Sequence, residues 1–142
     1  DDFISLQNRR IENARKLDSI SFLKSEYKLL YTTEYIKKFE IEFCNYISIQ
    51  KNKKIDYSLI HNRLQTILNC NIGKELNKLE LPKLLINADD DKLMKKHHGQ
   101  ELNKTCKNSK LISLKSGGHM LTETRAKDLN MHISYFINSI GK

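Results

Sequence analysis

The chain has 142 residues and a net charge of +8, long enough for one domain with a buried core. Its apolar content of 39% and mean hydropathy of −0.59 exclude an intrinsically disordered chain, and no window has the roughly eighteen uninterrupted apolar residues of a membrane span. Lysine outnumbers arginine about fourfold and the basic residues are scattered, which argues for a solvated surface rather than a nucleic-acid site.

No charged-then-apolar leader opens the sequence, and it begins at Asp1 rather than Met, so the chain is expected to be trimmed or excised from something longer. Residues 1–80 contain no proline and only one glycine, Gly73. Ile11, Ala14, Leu17 and Ile20 recur at helical spacing and lead into Phe22, Leu23, Tyr27, Leu30 and Tyr31. The same spacing continues through Tyr35, Ile36, Phe39, Ile41, Phe43 and Tyr46, and later through Ile60, Leu64, Ile67 and Leu68. The pattern predicts three or four amphipathic helices. Breaks are expected near Ser25–Glu26, at Thr32–Thr33 as an N-cap pair, and in the polar run from Gln50 to Lys54. The aromatic residues between Phe22 and Tyr46 are expected on the inner face of these helices, some of them lining a cleft.

From Leu81 the pattern changes. Pro82 precedes a short apolar run, Leu84 to Ile86, suited to a strand buried on both faces. Lys92 to Cys106 predicts a polar helix with a stripe of Met94, His98 and Leu102, and Lys110 to Lys115 a second strand. Glu123 to Ile140 predicts the terminal helix, with Leu129, Ile133, Phe136, Ile137 and Ile140 on one face. A strand–helix–strand unit with a right-handed crossover brings both strand ends to one sheet edge, where α/β folds keep their sites. That edge would hold Asp89, Asp90 and Asp91 after the first strand, and Gly117-Gly118-His119 after the second. Two strands are too few for an independent sheet, so this looks like the second half of a larger domain.

At these residues the sequence resembles the C-terminal half of an α/β-hydrolase, in the capped branch of esterases, enol-lactonases and carbon–carbon hydrolases. Leu84-Leu-Ile-Asn-Ala-Asp-Asp-Asp91 is similar to the family's strand and Gly-x-x-Asp turn, with Ala88 where glycine is usual. Gly118-His119 matches the Gly-His pair after the next strand. Asn130 and Phe136 fit later positions, and Glu123 lies one residue from the usual acidic place. The resemblance covers residues from about 60 to 142 well and the region before them weakly. It implies an α/β fold divided into a helical cap over 1–80 and a C-terminal βαβα lobe over 81–142.

The resemblance implies that His119 is the general base and that Asp91 orients it by accepting from Nδ1. Asp89 and Asp90 compete for the acid role, and all three carboxylates could instead cap the following helix. A calcium loop is not expected, because no spaced oxygen ligands follow. Adjacent His97 and His98 point about 100° apart on a helix and cannot easily share a metal ion. Cys44, Cys70 and Cys106 are odd in number and form no C-x-x-C, which favours a reducing, cytoplasmic setting. Cys70 and Cys106 are expected to be small buried hydrophobes.

No Gly-x-Ser-x-Gly elbow occurs in the 142 residues. The expectation is therefore a hydrolase fragment whose complete form cleaves an ester, thioester or related small-molecule bond through a nucleophile–His–Asp triad, without cofactor or metal. Alone, the chain should be inactive. Its partner would be the missing N-terminal half of the core or another copy of the chain. The rival readings are a catalytically dead hydrolase-like binding protein and a basic helical polyanion binder.

Overall fold

The computed structural model describes residues 2–70 and 72–141, which form two compact units. The first takes in Thr33–Cys70 and the chain up to Leu29, and the second takes in Leu30–Thr32 and the chain beyond Cys70. The second unit thus begins ahead of Leu81, where the sequence pattern changes, and also takes in Leu30, the last residue of an earlier helix, with Tyr31 and Thr32 after it.

The first unit is helical: α1 (Asp2–Lys16), α2 (Ser19–Leu30), α3 (Thr33–Lys38), α4 (Glu40–Gln50) and α5 (Tyr57–Asn69). The helices are more numerous than the periodicity predicts, because the pattern does not register single-residue interruptions. Phe39, with φ −114° and ψ 32°, separates α3 from α4. Asp18 separates α1 from α2 and caps the latter, its Oδ1 accepting from the backbone N–H of Ile20 and Ser21 at 3.0 Å each. Asp56 does the same for α5, accepting from Leu59 N–H at 3.0 Å. The break expected at Ser25–Glu26 does not occur. Ser25 Oγ donates back to the Phe22 carbonyl at 2.7 Å, which keeps its polar group inside the helix. Glu26 is held by Arg10.

Helix α1 packs against α5, and Ala14, Phe22, Ile47 and Leu64 are buried. The rings of Tyr27 and Phe43 lie 4.8 Å apart and those of Tyr35 and Phe39 4.6 Å, so these aromatics cluster. Tyr46, expected on the inner face, is exposed, as is Ile41 of the same periodic run. Between α1 and α2, Arg10 meets Glu26 in a fork, with Nε 3.0 Å from Oε1 and Nη2 on Oε2, and also donates to Gln7 Oε1 at 2.8 Å. Gln7 is fully buried.

The second unit contains α6 (Gly73–Lys78), β1 (Lys83–Ala88), α7 (Lys96–Thr105), β2 (Ser109–Leu114), α8 (Leu121–Thr124) and α9 (Ala126–Ile140). The two strands pair in parallel, in register from Lys83↔Ser109 to Ala88↔Leu114, and among the described residues they are the whole sheet. The crossover helix α7 packs on both strands. It starts at Lys96 rather than Lys92, because the Asp91 side chain organises a turn first. The terminal helix is interrupted at Arg125, with φ −134° and ψ 33°, giving α8 and α9.

Neither strand is buried on both faces as expected. Ala88 is fully buried, but the other β1 residues are only half-buried, and Lys110 and Ser113 of β2 are exposed. The apolar face predicted for α9 is open as well: Ile133, Ile137 and Ile140 are all exposed. The physical reason is the shortage of layers. Two strands, with α7 on both and α9 on β1, leave apolar groups uncovered among the described residues. None of the described helices is long and apolar enough to cross a membrane.

The Arg10–Glu26 fork generates a stability prediction. With both side chains largely buried, at 12% and 16% exposure, Glu26→Ala strands a guanidinium and is expected to cost about 2–3 kcal/mol. Urea unfolding followed by circular dichroism checks this; a change within about 0.5 kcal/mol, the range of ordinary surface substitutions, would show the fork to be unimportant.

Candidate active site

Parallel pairing in register brings the C-terminal ends of β1 and β2 side by side, and each is followed by a polar loop. After β1 come Asp89, Asp90 and Asp91. After β2 come Ser116, Gly117, Gly118 and His119. Asp89 N–H continues the ladder by donating to the Leu114 carbonyl at 2.8 Å, so the acidic turn starts from a fixed point.

The three carboxylates, equivalent on paper, have three different partners. Asp89 projects outward and pairs with Lys96 at 2.9 Å, with both side chains substantially exposed. Such a pair contributes little. Asp90 turns towards the glycine loop, and its Oδ1 accepts from Gly117 N–H at 3.0 Å and Gly118 N–H at 2.9 Å. Asp91 turns inward, with a side chain 8% exposed. Its Oδ2 lies 2.9 Å from His119 Nδ1, and its Oδ1 accepts from the backbone N–H of Leu93 at 2.7 Å and Met94 at 2.9 Å. None caps α7, whose N-cap is Lys95.

His119 is held from several sides. Its backbone N–H donates to the Leu30 carbonyl at 2.9 Å, as does that of Met120 at 3.2 Å. These bonds satisfy a carbonyl that the end of α2 would leave open. Gly118, at φ +67°, lies in the left-handed region, and a Cβ there would stand 3.0 Å from the Leu30 oxygen. Gly117, at φ +150°, also lies outside the usual range of L side chains. Downstream, Thr124 Oγ1 donates to the Gly117 carbonyl at 2.6 Å, and Arg125 donates to both the carbonyl and the hydroxyl of Ser116. Tyr31, buried, donates through its hydroxyl to Glu123 Oε2 at 2.8 Å. The His119 side chain itself is 32% exposed.

Burial alone would raise the Asp91 pKa. The hydrogen bond from His119, the backbone N–H groups of Met94 and Leu93, and the positive charge of a protonated His119 outweigh it, so the carboxyl sits below its ordinary value. With Nδ1 engaged, His119 has Nε2 left to accept a proton from a hydroxyl.

The remaining candidates lie elsewhere. The rings of His97 and His98 lie 4.1 Å apart, tilted by 32°, rather than diverging as the helical spacing predicts, and His98 Nδ1 lies 3.1 Å from the Lys95 carbonyl. His98 and Leu102 line a groove of about 290 Å³ with Leu84, Leu85, Ile86 and Leu111, so the predicted stripe does face the sheet. Among the described residues no three His, Cys, Asp or Glu side chains converge as metal ligands. Cys106 is buried as expected, but Cys70 is exposed, because it ends α5 rather than entering a core. Sequence reasoning weighs Asp90 only for the acid role or a helix cap, and it does not single out Leu30, Tyr31 or Arg125 for the site. For Leu30 no residue-type signal exists, since its backbone oxygen does the work.

Two outcomes follow. Gly118→Ala is expected to cost about 1–2 kcal/mol from left-handed backbone alone, with the Leu30 carbonyl adding a clash, read as a lowered urea midpoint. Asp91 has a depressed pKa in the folded state, so its contribution to stability is present above the unfolded value of about 3.9 and is lost as pH falls through the folded value. Carboxyl ¹³C titration should show Asp91 taking up its proton below the ordinary range, and His119→Gln should move that titration upward.

Neither a protein-family model nor a curated protein matches this sequence. Solved structures do match. The enol-lactonase from Burkholderia xenovorans superposes with a TM-score of 0.76 at 16% identity, over 94% of this chain and 50% of that one. An α/β-hydrolase enzyme from a Medee basin deep-sea metagenome library gives 0.83 at 13%, over 96% and 50%. The bromoperoxidase from Bacillus anthracis gives 0.74 at 21%, over 93% and 48%. The chain spans about half the length of each of them. It has the α/β-hydrolase fold, in the portion corresponding to the C-terminal half.

Proposed function

We propose that this chain supplies the acid and the base of a nucleophile–His–Asp hydrolase, with Asp91 orienting His119. The observation that carries the reading is the 2.9 Å contact between His119 Nδ1 and Asp91 Oδ2 at the C-terminal ends of two parallel strands. An imidazole held at Nδ1 by a buried carboxylate is kept in the tautomer that leaves Nε2 as a base, and the imidazolium formed later is stabilised. Nε2 would take the proton of a serine hydroxyl as its oxygen attacks a carbonyl, and then return it to the leaving group. A second cycle with water would release the acyl group and restore the nucleophile. Residues 1–80 would be the helical cap region and residues 81–142 the lobe carrying both groups.

The sequence contains no Gly-x-Ser-x-Gly. Nucleophile and oxyanion donors would come from an N-terminal half of the core, or from another copy of the chain, and the 142 residues alone would be inactive. The complete form would hydrolyse an ester, thioester or related small-molecule bond. The three cysteines, all free, suit a reducing compartment such as the cytoplasm.

The tautomer of neutral His119, read by long-range ¹H–¹⁵N NMR on the intact chain, tests the acid–base pair. The proton is expected on Nδ1, with Asp91→Asn disturbing it; a proton on Nε2 would overturn the reading. The chain by itself should neither hydrolyse p-nitrophenyl esters nor react with a fluorophosphonate. In a longer polypeptide carrying this stretch after a serine elbow, fluorophosphonate should label the serine, and Asp91→Asn should lower kcat by roughly 10⁴-fold. Labelling and turnover indifferent to His119→Ala would be fatal to the proposal.

A further inference from the structure

We infer that Asp90 is a positioning residue for His119, acting through the backbone of the glycine loop. This rests on the reading of His119 as the base. The neighbouring carboxylate of Asp91 holds the imidazole ring, whereas Asp90 holds the main chain from which the ring projects, its Oδ1 accepting from two successive N–H groups, Gly117 at 3.0 Å and Gly118 at 2.9 Å.

The arrangement is a backbone nest occupied by a side-chain anion. Successive N–H groups converge where the chain leaves the ordinary β and α regions, and they favour negative charge at their focus. Gly117 at φ +150° and Gly118 at φ +67° provide that conformation. Glycine provides it at a cost, because two consecutive residues without Cβ have the widest choice of alternatives to lose. Something must select one conformer. Leu30 fixes the chain on the far side, through the N–H groups of His119 and Met120. Asp90 fixes it on the near side, with charge-assisted bonds of about twice the strength of neutral ones.

The anchor is itself immobilised. Asp90 lies two residues beyond Ala88, which is fully buried at the end of β1. Asp89 N–H bonds to the Leu114 carbonyl at 2.8 Å and Asp91 N–H to the Ala88 carbonyl at 3.3 Å. The acidic turn and the glycine loop are therefore tied together at the point where the strands end. One dipeptide, Asp90-Asp91, grips both ends of the base. Lys96, which reaches this turn from α7, bonds to Asp89. Loss of the Asp90 carboxylate frees the loop and lets the ring drift from Asp91, although no atom of Asp91 or His119 has been changed.

The test uses NMR on the intact chain, with wild type, Asp90→Ala, Asp90→Asn and Asp89→Ala. Two signals are followed: hydrogen exchange at the Gly117 and Gly118 amides, and the downfield Nδ1–H resonance and tautomer of His119. In Asp90→Ala the two amides should exchange roughly tenfold to a hundredfold faster, and the His119 signature should weaken or disappear. Asp90→Asn retains an acceptor oxygen and should restore most of both. Asp89→Ala removes a nearby charge without touching the loop and should leave both unchanged. The amide pattern elsewhere shows whether each variant is folded, and the asparagine variant carries the test if the alanine variant is not.

A His119 signature unchanged in Asp90→Ala overturns the inference. Gly117 and Gly118 amides that exchange no faster in Asp90→Ala also overturn it, since the carboxylate would then not be what holds the loop. These outcomes are separate from failure of the catalytic reading, which is shown by a wild-type His119 protonated at Nε2.

Discussion

Everything at this site depends on two short strands running parallel and in register. Six residues of β1 face six of β2, from Lys83↔Ser109 to Ala88↔Leu114, so both strands end at the same level. A parallel pair requires a crossover, and α7 supplies it. The residues that follow the two strands are thereby delivered to one edge. A slip of one residue in the register would turn every side chain to the opposite face and separate Asp91 from His119.

That edge is built in two layers of bonding. The inner layer is the contact between Asp91 and His119. The outer layer is backbone: Leu30 accepts from His119 and Met120, Asp90 accepts from Gly117 and Gly118, and Thr124 and Arg125 hold the carbonyls behind them. The outer layer matters because glycine loops have little conformational preference of their own. An imidazole carried on such a loop is only as well placed as the bonds that clamp the loop.

The same unit is incomplete as a packing problem. The β1 leucines and Ile86 are half-buried, and Ile133, Ile137 and Ile140 of α9 are exposed. The solved structures that match this chain are about twice the length of the matched region. Apolar strands of this kind occur where helices cover both faces of a parallel sheet and further strands continue it. A complete core of this fold would provide those layers.

By itself the sequence determined the order of elements around this edge and singled out Asp91 and His119, which the structure brings within 2.9 Å. The apolar run from Leu84 to Ile86, the run from Lys110 to Lys115 and the Gly-Gly-His that follows carry strong local signals: β-branched or apolar clusters, glycines and an acidic turn. The helix boundaries were less legible, because a single residue such as Phe39 or Arg125 can end a helix without breaking the apolar period. Only the tertiary structure separated the three aspartates. Asp89, Asp90 and Asp91 are chemically the same, and successive residues in a turn point in directions that composition cannot distinguish. What differs is what each meets: a lysine from α7, two amides from a loop 27 and 28 residues away, or the imidazole of His119. The carbonyl of Leu30 lay beyond sequence reading altogether, since every residue has one and only folding decides which is left at a helix end facing the loop of His119.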